Sequence, residues 1–147
     1  MNSRLCITSL PTFVSLVLVG LSVVAYPLNA WANHYRIMPL GDSITNSTAG
    51  YASYRYYLWN LLEGHTVDFV GTQSGVANGE PLIPYFDQSH EGHGGWRAED
   101  VVRDIDGWLQ QVDPDPDIVL CHIGTNDLAN AQSVSSTISE VSQIIDK

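Results

Sequence analysis

The sequence predicts a flavodoxin-like α/β domain, in which helices cover both faces of a parallel sheet in three layers. Two observations predict it. Short apolar segments alternate with segments of helical periodicity, which is the order expected of a parallel sheet with right-handed crossovers. Two of the apolar segments also end in glycine-led polar turns, Gly41-Asp42-Ser43 and Gly124-Thr125-Asn126-Asp127. Open α/β sheets carry their reactive groups at this end of the strands.

Strands are expected at residues 35–40, 66–70 and 118–123, and helices at residues 54–62, 97–112 and 134–147. The third strand is continuously apolar rather than alternating, which predicts a strand buried on both faces. Residues 73–95 contain Gly, Pro, Asn and His without a period, so a long loop is expected there. In a flavodoxin-like order the first and third strands are neighbours, and their two polar turns would face each other across one crevice.

The first 32 residues predict a secretory signal. A basic start precedes an apolar run at residues 13–25, and a small-residue cleavage site ends at Ala32. The alternative of a membrane anchor is disfavoured, because the run is shorter than the roughly 20 residues of a spanning helix and Pro27 ends it. We therefore expect a secreted, extracellular protein with no stable membrane anchor, whose mature domain comprises residues 33–147.

That mature domain would be strongly acidic. Of the six basic and sixteen acidic residues only Arg4 precedes residue 33, so the formal charge is −11. Like charge disfavours nucleic acid and anionic membranes as partners, whereas a small-molecule or polysaccharide ester is compatible with it. We expect a monomer. Cys121, the one cysteine of the mature domain, lies in an apolar segment and is expected to be a buried, unreactive thiol.

The polar turns offer parts of an acyl-transfer site, which needs a nucleophile, a base and donors for a developing oxyanion. Ser43 is the candidate nucleophile, and its own backbone N–H is one candidate donor. The side-chain amide of Asn126 and the bare backbone N–H of Gly95 are the others. Each residue also has an ordinary structural interpretation, as a turn serine, a helix N-cap and a loop glycine.

Three segments in this order resemble the first three conserved blocks of the SGNH hydrolases, also called GDSL esterases. They are Ile-Met-Pro-Leu-Gly-Asp-Ser-Ile-Thr at residues 37–45, His-Glu-Gly-His-Gly-Gly-Trp at residues 90–96, and His-Ile-Gly-Thr-Asn-Asp at residues 122–127. Within that family the sequence is most similar to the carbohydrate esterase branch with the acetylxylan esterases.

The resemblance implies the SGNH hydrolase fold and a serine esterase that removes acyl groups, acetyl foremost, from a plant-type polysaccharide. It implies Ser43 as nucleophile and an oxyanion hole of Ser43, Gly95 and Asn126. Gly94 is adjacent to Gly95 and is the alternative for the second oxyanion donor. It implies no cofactor and no metal. Asp42 and Asp127 lie inside the blocks but look structural.

The family's last block, Asp-x-x-His, supplies the catalytic base and the acid that orients it, and neither is present after Asn126. The fold's last strands are absent as well, so the sequence is interpreted as the first two thirds of such a domain, with its third strand an exposed apolar edge. Asp87-Gln-Ser-His90 has the same spacing but precedes the second block. His122 is expected in the core and His93 in a loop near the substrate. The alternative hypothesis is a non-catalytic carbohydrate-binding or vestigial protein.

Overall fold

The computed structural model describes residues 34–113 and 115–147, so the predicted signal lies outside the described residues. The strands are β1 (His34–Gly41), β2 (Thr66–Phe69), β3 (Gln73–Ser74), β4 (Ser89–Gly92) and β5 (Ile118–His122). The helices are α1 (Ser43–Asn46), α2 (Tyr54–Leu61), α3 (Ala98–Leu109), α4 (Thr125–Ala129) and α5 (Val134–Ile145). In this part of the chain, no helix combines the length and the apolar character that crossing a membrane requires.

Strand β1 is the centre of the sheet. Its first half pairs in parallel with β2, and its last two residues, Leu40 and Gly41, pair in parallel with β4. Strand β5 is also parallel to β1, and Leu40 pairs with both Glu91 and Cys121. Strands β4 and β5 therefore flank opposite edges of β1. Strand β3 adds an antiparallel pair to β4. The predicted parallel sheet, and the prediction that the first and third expected strands are neighbours, are confirmed.

One face of β1 forms the main core with α3 and α5. Met38 and Leu40 are fully buried, and alternation along the strand places both on the same face. Helix α3 contributes a buried stripe at helical spacing against them, and Ile144 of α5 completes the cluster. The stripe comprises Ala98, Val101, Ile105 and Trp108. The helical periodicity of residues 97–112 predicted Val101, Ile105 and Trp108 on one face, together with Leu109, which is only partly buried, and Val112; Ala98 was not predicted.

Helix α2 covers the other face. Ile37 points away from the Met38 side, and its register partner Phe69 is buried against Trp59 of α2, with ring centroids 5.4 Å apart at an interplanar angle of 72°. Helices thus pack on both faces, as the predicted class requires. The predicted helix bounds differ from the observed ones by no more than three residues at either end.

Two expectations about strands were wrong. Residues 73–95 are not one loop, because β3 and β4 lie within them. Strand β4 escapes a hydrophobic pattern search because two of its buried residues, His90 and Glu91, are polar; they accept hydrogen bonds from the backbone N–H groups of Gly92 and Thr72. Strand β5 is not buried on both faces: all five of its residues are exposed. Among the described residues it pairs only with β1, so the expectation of an exposed apolar edge is confirmed.

Candidate active site

Ser43 stands at the carboxyl end of β1, where the strand turns into the short helix α1. A Cβ atom on Gly41 would lie 2.2 Å from the backbone carbonyl oxygen of His122, so only glycine allows β1 and β5 to approach this closely. Asp42 is fully buried, and its carboxylate accepts a hydrogen bond of 2.9 Å from the backbone N–H of Ile44. That bond caps α1. Asp42 therefore fixes the turn, and Ser43 is left exposed to solvent.

Asn126 lies in α4, directly after β5. It is not the N-cap of that helix, a place that Gly124 takes with a left-handed φ of 109°. The side-chain amide of Asn126 donates a hydrogen bond of 2.8 Å to the backbone carbonyl of Trp96. The buried carboxylate of Asp127 accepts from the Ala98 N–H with both oxygens, at 3.0 and 3.1 Å. Asp127 is structural, and the pair of bonds fastens the loop before α3 to the end of β5.

Gly95 belongs to that fastened loop. Its φ of 83° lies in the left-handed region, and an added Cβ atom would meet nothing within 4 Å, so its backbone is open to solvent. Neighbouring Gly94 is equally unhindered. The backbone N–H of His93 donates to the Gly41 carbonyl at 2.9 Å, which joins the start of this loop to the turn that carries Ser43.

A surface cleft of about 570 Å³ opens beside Ser43. Gly94 lines it, whereas Gly95 and Asn126 do not. The structure thus brings Ser43 and Gly94 into one cleft and joins Asn126 to the residue that follows Gly95. The rest of the lining comes from α1, the start of α2 and two loops, and comprises Ile44, Asn46, Ser47, Thr48, Tyr51, Ala52, Ser53, Tyr54, Ala77 and Asn78.

The Asp87-x-x-His90 spacing does not form a catalytic pair. The two carboxylate oxygens of Asp87 accept from the backbone N–H groups of Phe69 and Ser89, at 2.7 and 3.0 Å. His90 is buried, and its Nδ1 accepts from the Gly92 N–H at 2.9 Å. Burial, with the nearby positive charge of Arg55, lowers the pKa of His90 to about 3. A histidine in this setting holds a turn and is a poor proton acceptor.

His93 lies in the loop that follows β4, and its side chain is engaged in internal contacts. Its ring packs against those of Trp96 and Trp108, with centroid distances of 4.3 and 4.6 Å, in a cluster where the two indole rings are 5.4 Å apart. Its Nε2 lies 2.7 Å from the carboxylate of buried Glu91. The other Glu91 contacts go to Thr72, whose backbone N–H and hydroxyl donate at 2.6 and 2.8 Å. This part of the second block therefore anchors the loop to α3 and to the segment after β2.

His122 is exposed, not a core residue, and its ring lies edge-on to Tyr54 at 6.4 Å. Within the described residues no hydrogen bond joins the Ser43 hydroxyl to a histidine. The same residues hold no group of three His, Cys, Asp or Glu side chains that could bind a metal ion. Cys121, expected to be buried, is an exposed residue of β5.

The most heavily hydrogen-bonded side chain near Ser43 is one that sequence reasoning missed. Arg55 is fully buried in α2, and its guanidinium donates to four backbone carbonyls. The acceptors and distances are Thr45 at 2.9 Å, Asn46 at 3.2 Å, Gly75 at 2.6 Å and Gln88 at 2.6 Å. Burial lowers its pKa to about 10, which leaves it charged at neutral pH. Arg55 therefore ties α1 to two distant loops. No motif signals this role, since one arginine among aromatic residues usually marks a solvated helix face.

Comparison with known proteins gives one family and several solved relatives. Residues 40–147 match the model of the GDSL-like Lipase/Acylhydrolase family. A multidomain esterase from Ruminococcus flavefaciens is 34% identical over 123 residues, which are 70% of this chain and 16% of that protein. A carbohydrate esterase family 3 protein from Talaromyces cellulolyticus is 34% identical with a TM-score of 0.63, covering 76% of this chain and 54% of its own. A Clostridium thermocellum family 3 carbohydrate esterase is 35% identical with the same TM-score, at 78% and 56% coverage. This chain thus spans about half the length of the solved relatives and a sixth of the curated one.

Proposed function

Since the chain belongs to the GDSL-like lipase/acylhydrolase family, we propose that it is the nucleophile-bearing part of a serine esterase that removes acyl groups, acetyl foremost, from a carbohydrate. The observation that carries the proposal is the exposed Ser43 on a rigid, capped turn, in one cleft with Gly94 and beside the loop to which Asn126 is bonded. The similarity to two family 3 carbohydrate esterases supports the carbohydrate substrate.

In the proposed reaction the Ser43 oxygen attacks the ester carbonyl carbon, and the carbonyl oxygen becomes an oxyanion. We assign its donors to the backbone N–H groups of Ser43 and Gly95 and to the side-chain amide of Asn126. Collapse of the tetrahedral intermediate releases the sugar alcohol and leaves an acyl group on Ser43, which water then hydrolyses. The solvent exposure of Gly95 supports this assignment, because an oxyanion donor must be accessible to the substrate.

The reaction also needs a base that accepts the Ser43 hydroxyl proton. His90 and His93 are committed to internal contacts, and no histidine of the described residues is bonded to Ser43. None of the described residues is therefore assigned as the base, and we propose that another part of the whole protein supplies it.

The test is turnover of an acetylated xylo-oligosaccharide by the full-length protein and by Ser43→Ala. We expect the substitution to reduce kcat by about a thousandfold or more and to leave the melting temperature unchanged, because the hydroxyl is exposed. Ser74→Ala, an exposed serine in β3, serves as the control and should keep full activity. Equal activity of Ser43→Ala and the parent would show that Ser43 is not the nucleophile.

The second candidate function is carbohydrate binding without catalysis. The absence of a histidine bonded to Ser43 among the described residues favours it. A parent protein that binds the oligosaccharide but releases no acetate, even at high enzyme concentration, would establish this function in place of esterase activity.

We further propose that the protein is secreted, on the strength of the basic start, the apolar run and the small residues Ala30 and Ala32 at the −3 and −1 positions of the expected cleavage site. Amino-terminal sequencing of the mature protein from the culture medium should begin at Asn33. Recovery of the intact amino terminus from the cell interior would contradict secretion.

A further inference from the structure

The cleft beside Ser43 has a wall whose residues have no role in the reaction proposed above. Besides Ser43 and Gly94, the cleft is lined by this wall, which includes Asn46, Ser47, Thr48, Tyr51, Ala52, Ala77 and Asn78. A cleft of about 570 Å³ is much larger than an acetyl group needs, and it falls in the range of sites for whole small ligands. The alcohol part of the ester is the piece of substrate left to fill this space.

Tyr51 is the side chain of this wall that is most available to a ligand. It is 67% exposed, and no ring contact or side-chain hydrogen bond engages it within the described part of the chain. The other tyrosine of the cleft, Tyr54, is half-buried, and its hydroxyl lies 3.2 Å from that of Thr45. Tyr57 and Tyr85 are also exposed, but neither lines the cleft.

The backbone that carries Tyr51 is held in place from both sides. The Tyr51 N–H donates to the Thr48 carbonyl at 3.2 Å, and the Tyr51 carbonyl accepts from the Leu82 N–H at 3.2 Å. The preceding residues are joined to the facing loop in the same way. These bonds are Ala49 N–H to the Ala77 carbonyl at 2.8 Å and Gly50 N–H to the Glu80 carbonyl at 3.1 Å. An exposed aromatic ring on a fixed backbone loses little entropy on binding, so it is suited to recognition.

Polar side chains line the same cleft as Tyr51. Asn78 has a left-handed φ of 65°, and its side-chain amide donates to the Thr48 hydroxyl at 3.4 Å. Asn46 and Ser47 line the same wall. Amide and hydroxyl groups at the edge of an aromatic face match a sugar ring, which presents an apolar C–H face bordered by hydroxyl groups. The acidic charge of residues 33–147 favours a neutral ligand over an anionic one.

We propose that Tyr51 is the stacking platform of a sugar subsite, on which one ring of the carbohydrate lies while its ester group reaches Ser43. The identity of the ligand as a carbohydrate rests on the function proposed above. The platform fixes which hydroxyl ester is presented to the nucleophile, so Tyr51 is a specificity-determining residue and takes no part in the bond changes.

The test is binding of a partially acetylated xylo-oligosaccharide by titration calorimetry, in a Ser43→Ala background of the full-length protein so that the ligand is not consumed. Tyr51→Ala should raise Kd about tenfold, whereas Tyr51→Trp, which keeps a flat ring, should stay within about threefold of the parent. Tyr57→Ala removes an equally exposed ring outside the cleft and should leave Kd unchanged. Equal melting temperatures of the variants verify folding.

A second measurement separates this subsite from the catalytic proposal. With Ser43 intact, Tyr51→Ala should lower kcat/KM about tenfold for the acetylated oligosaccharide and leave it unchanged for ethyl acetate, which has no sugar ring. Binding that depends on Tyr51 in a protein that hydrolyses neither ester would support the subsite and refute the esterase. Ester hydrolysis with a Kd indifferent to Tyr51→Ala would refute the subsite alone, as would a parent that does not bind the oligosaccharide.

Discussion

The side-chain amide of Asn126 donates a hydrogen bond of 2.8 Å to the backbone carbonyl of Trp96. This bond spans thirty residues of sequence and joins the turn after β5 to the loop that presents Gly95. The amide carries a second N–H, so the same group can hold the loop and still stabilise an oxyanion. Removal of the amide is therefore expected to lower both the rate of catalysis and the free energy of unfolding.

We expect Asn126→Ala to reduce kcat about a hundredfold to a thousandfold, the usual effect of losing one oxyanion donor. The lost bond to Trp96 should also lower the free energy of unfolding by about 1 kcal/mol. Steady-state kinetics and urea unfolding measure the two effects. The matched control is Asn130→Ala, whose exposed amide donates to the Asn126 carbonyl at 2.7 Å and should leave kcat unchanged. A stability loss without a loss of kcat would reduce Asn126 to a structural residue.

Arg55 predicts a large loss of stability. Arg55→Met removes the donors of four backbone carbonyls, two of them next to Ser43 in α1, and leaves them in a poorly solvated site. We expect the free energy of unfolding to fall by about 3 kcal/mol or more. Arg103→Met, at an exposed position of α3 with surface ion pairs, should change the free energy of unfolding much less. Denaturant titration measures the free energy of unfolding of both variants. Equal decreases would mean that the buried hydrogen bonds of Arg55 contribute little to stability.

His90 predicts a pH dependence of stability. Its pKa in the folded protein is about 3, whereas an unfolded histidine titrates near 6.5. As the pH falls below about 6.5, the unfolded state therefore binds a proton that the folded state does not bind. The free energy of unfolding consequently decreases between about pH 6.5 and pH 3.

His90→Asn keeps an acceptor for the Gly92 N–H but does not titrate. Between pH 7 and pH 5 the parent should lose about 2 kcal/mol more than this variant. Exposed His65 gives the control, since His65→Gln should follow the parent. Unfolding curves at the two pH values decide the matter, and parallel losses in His90→Asn and the parent would contradict the buried, neutral histidine.

The exposed edge of β5 predicts self-association of the 147-residue chain. Ile118 and Val119 are each 42% exposed, and the described sheet leaves one edge of β5 unpaired. Light scattering should show aggregation that rises with protein concentration, and Val119→Lys should reduce it, because a charge on an edge strand opposes further pairing. Val134→Lys adds the same charge on α5, away from the sheet, and should not. An aggregation-free parent that melts cooperatively would refute this prediction.

The fold class, the adjacency of the first and third predicted strands and the position of the polar turns were predictable because apolar periodicity marks buried elements. Strand β4 was not, since Glu91 and His90 are buried by pairing with other polar groups and leave no apolar signal. The burial of β5 was predicted wrongly for a related reason. An apolar run shows that a strand can be buried. How much of it is buried depends on which strands and helices pack against it.

For the candidate site, the sequence predicted that Ser43 and Asn126 follow the carboxyl ends of two neighbouring strands. The structure places Ser43 and Gly94 in one cleft and bonds Asn126 to Trp96, but the assignment of an oxyanion hole to Ser43, Gly95 and Asn126 stays a prediction until turnover is measured. The structural roles of Asp42 and Asp127 agree with the expectation. Arg55 was not predictable, because four carbonyl acceptors from separate loops become visible only when the chain is folded.

Strand β1 pairs with β2, β4 and β5, whose partner residues lie 32 to 81 positions further along the chain. Pairings over such distances must close long loops before they gain any contact energy, so they form slowly. The turn with Ser43 and the turn with Asn126 are both held at the end of this strand. The two turns are therefore expected to come together in the slow, rate-limiting phase of folding, and a protease or chaperone would meet the chain while Ser43 and Asn126 are still apart.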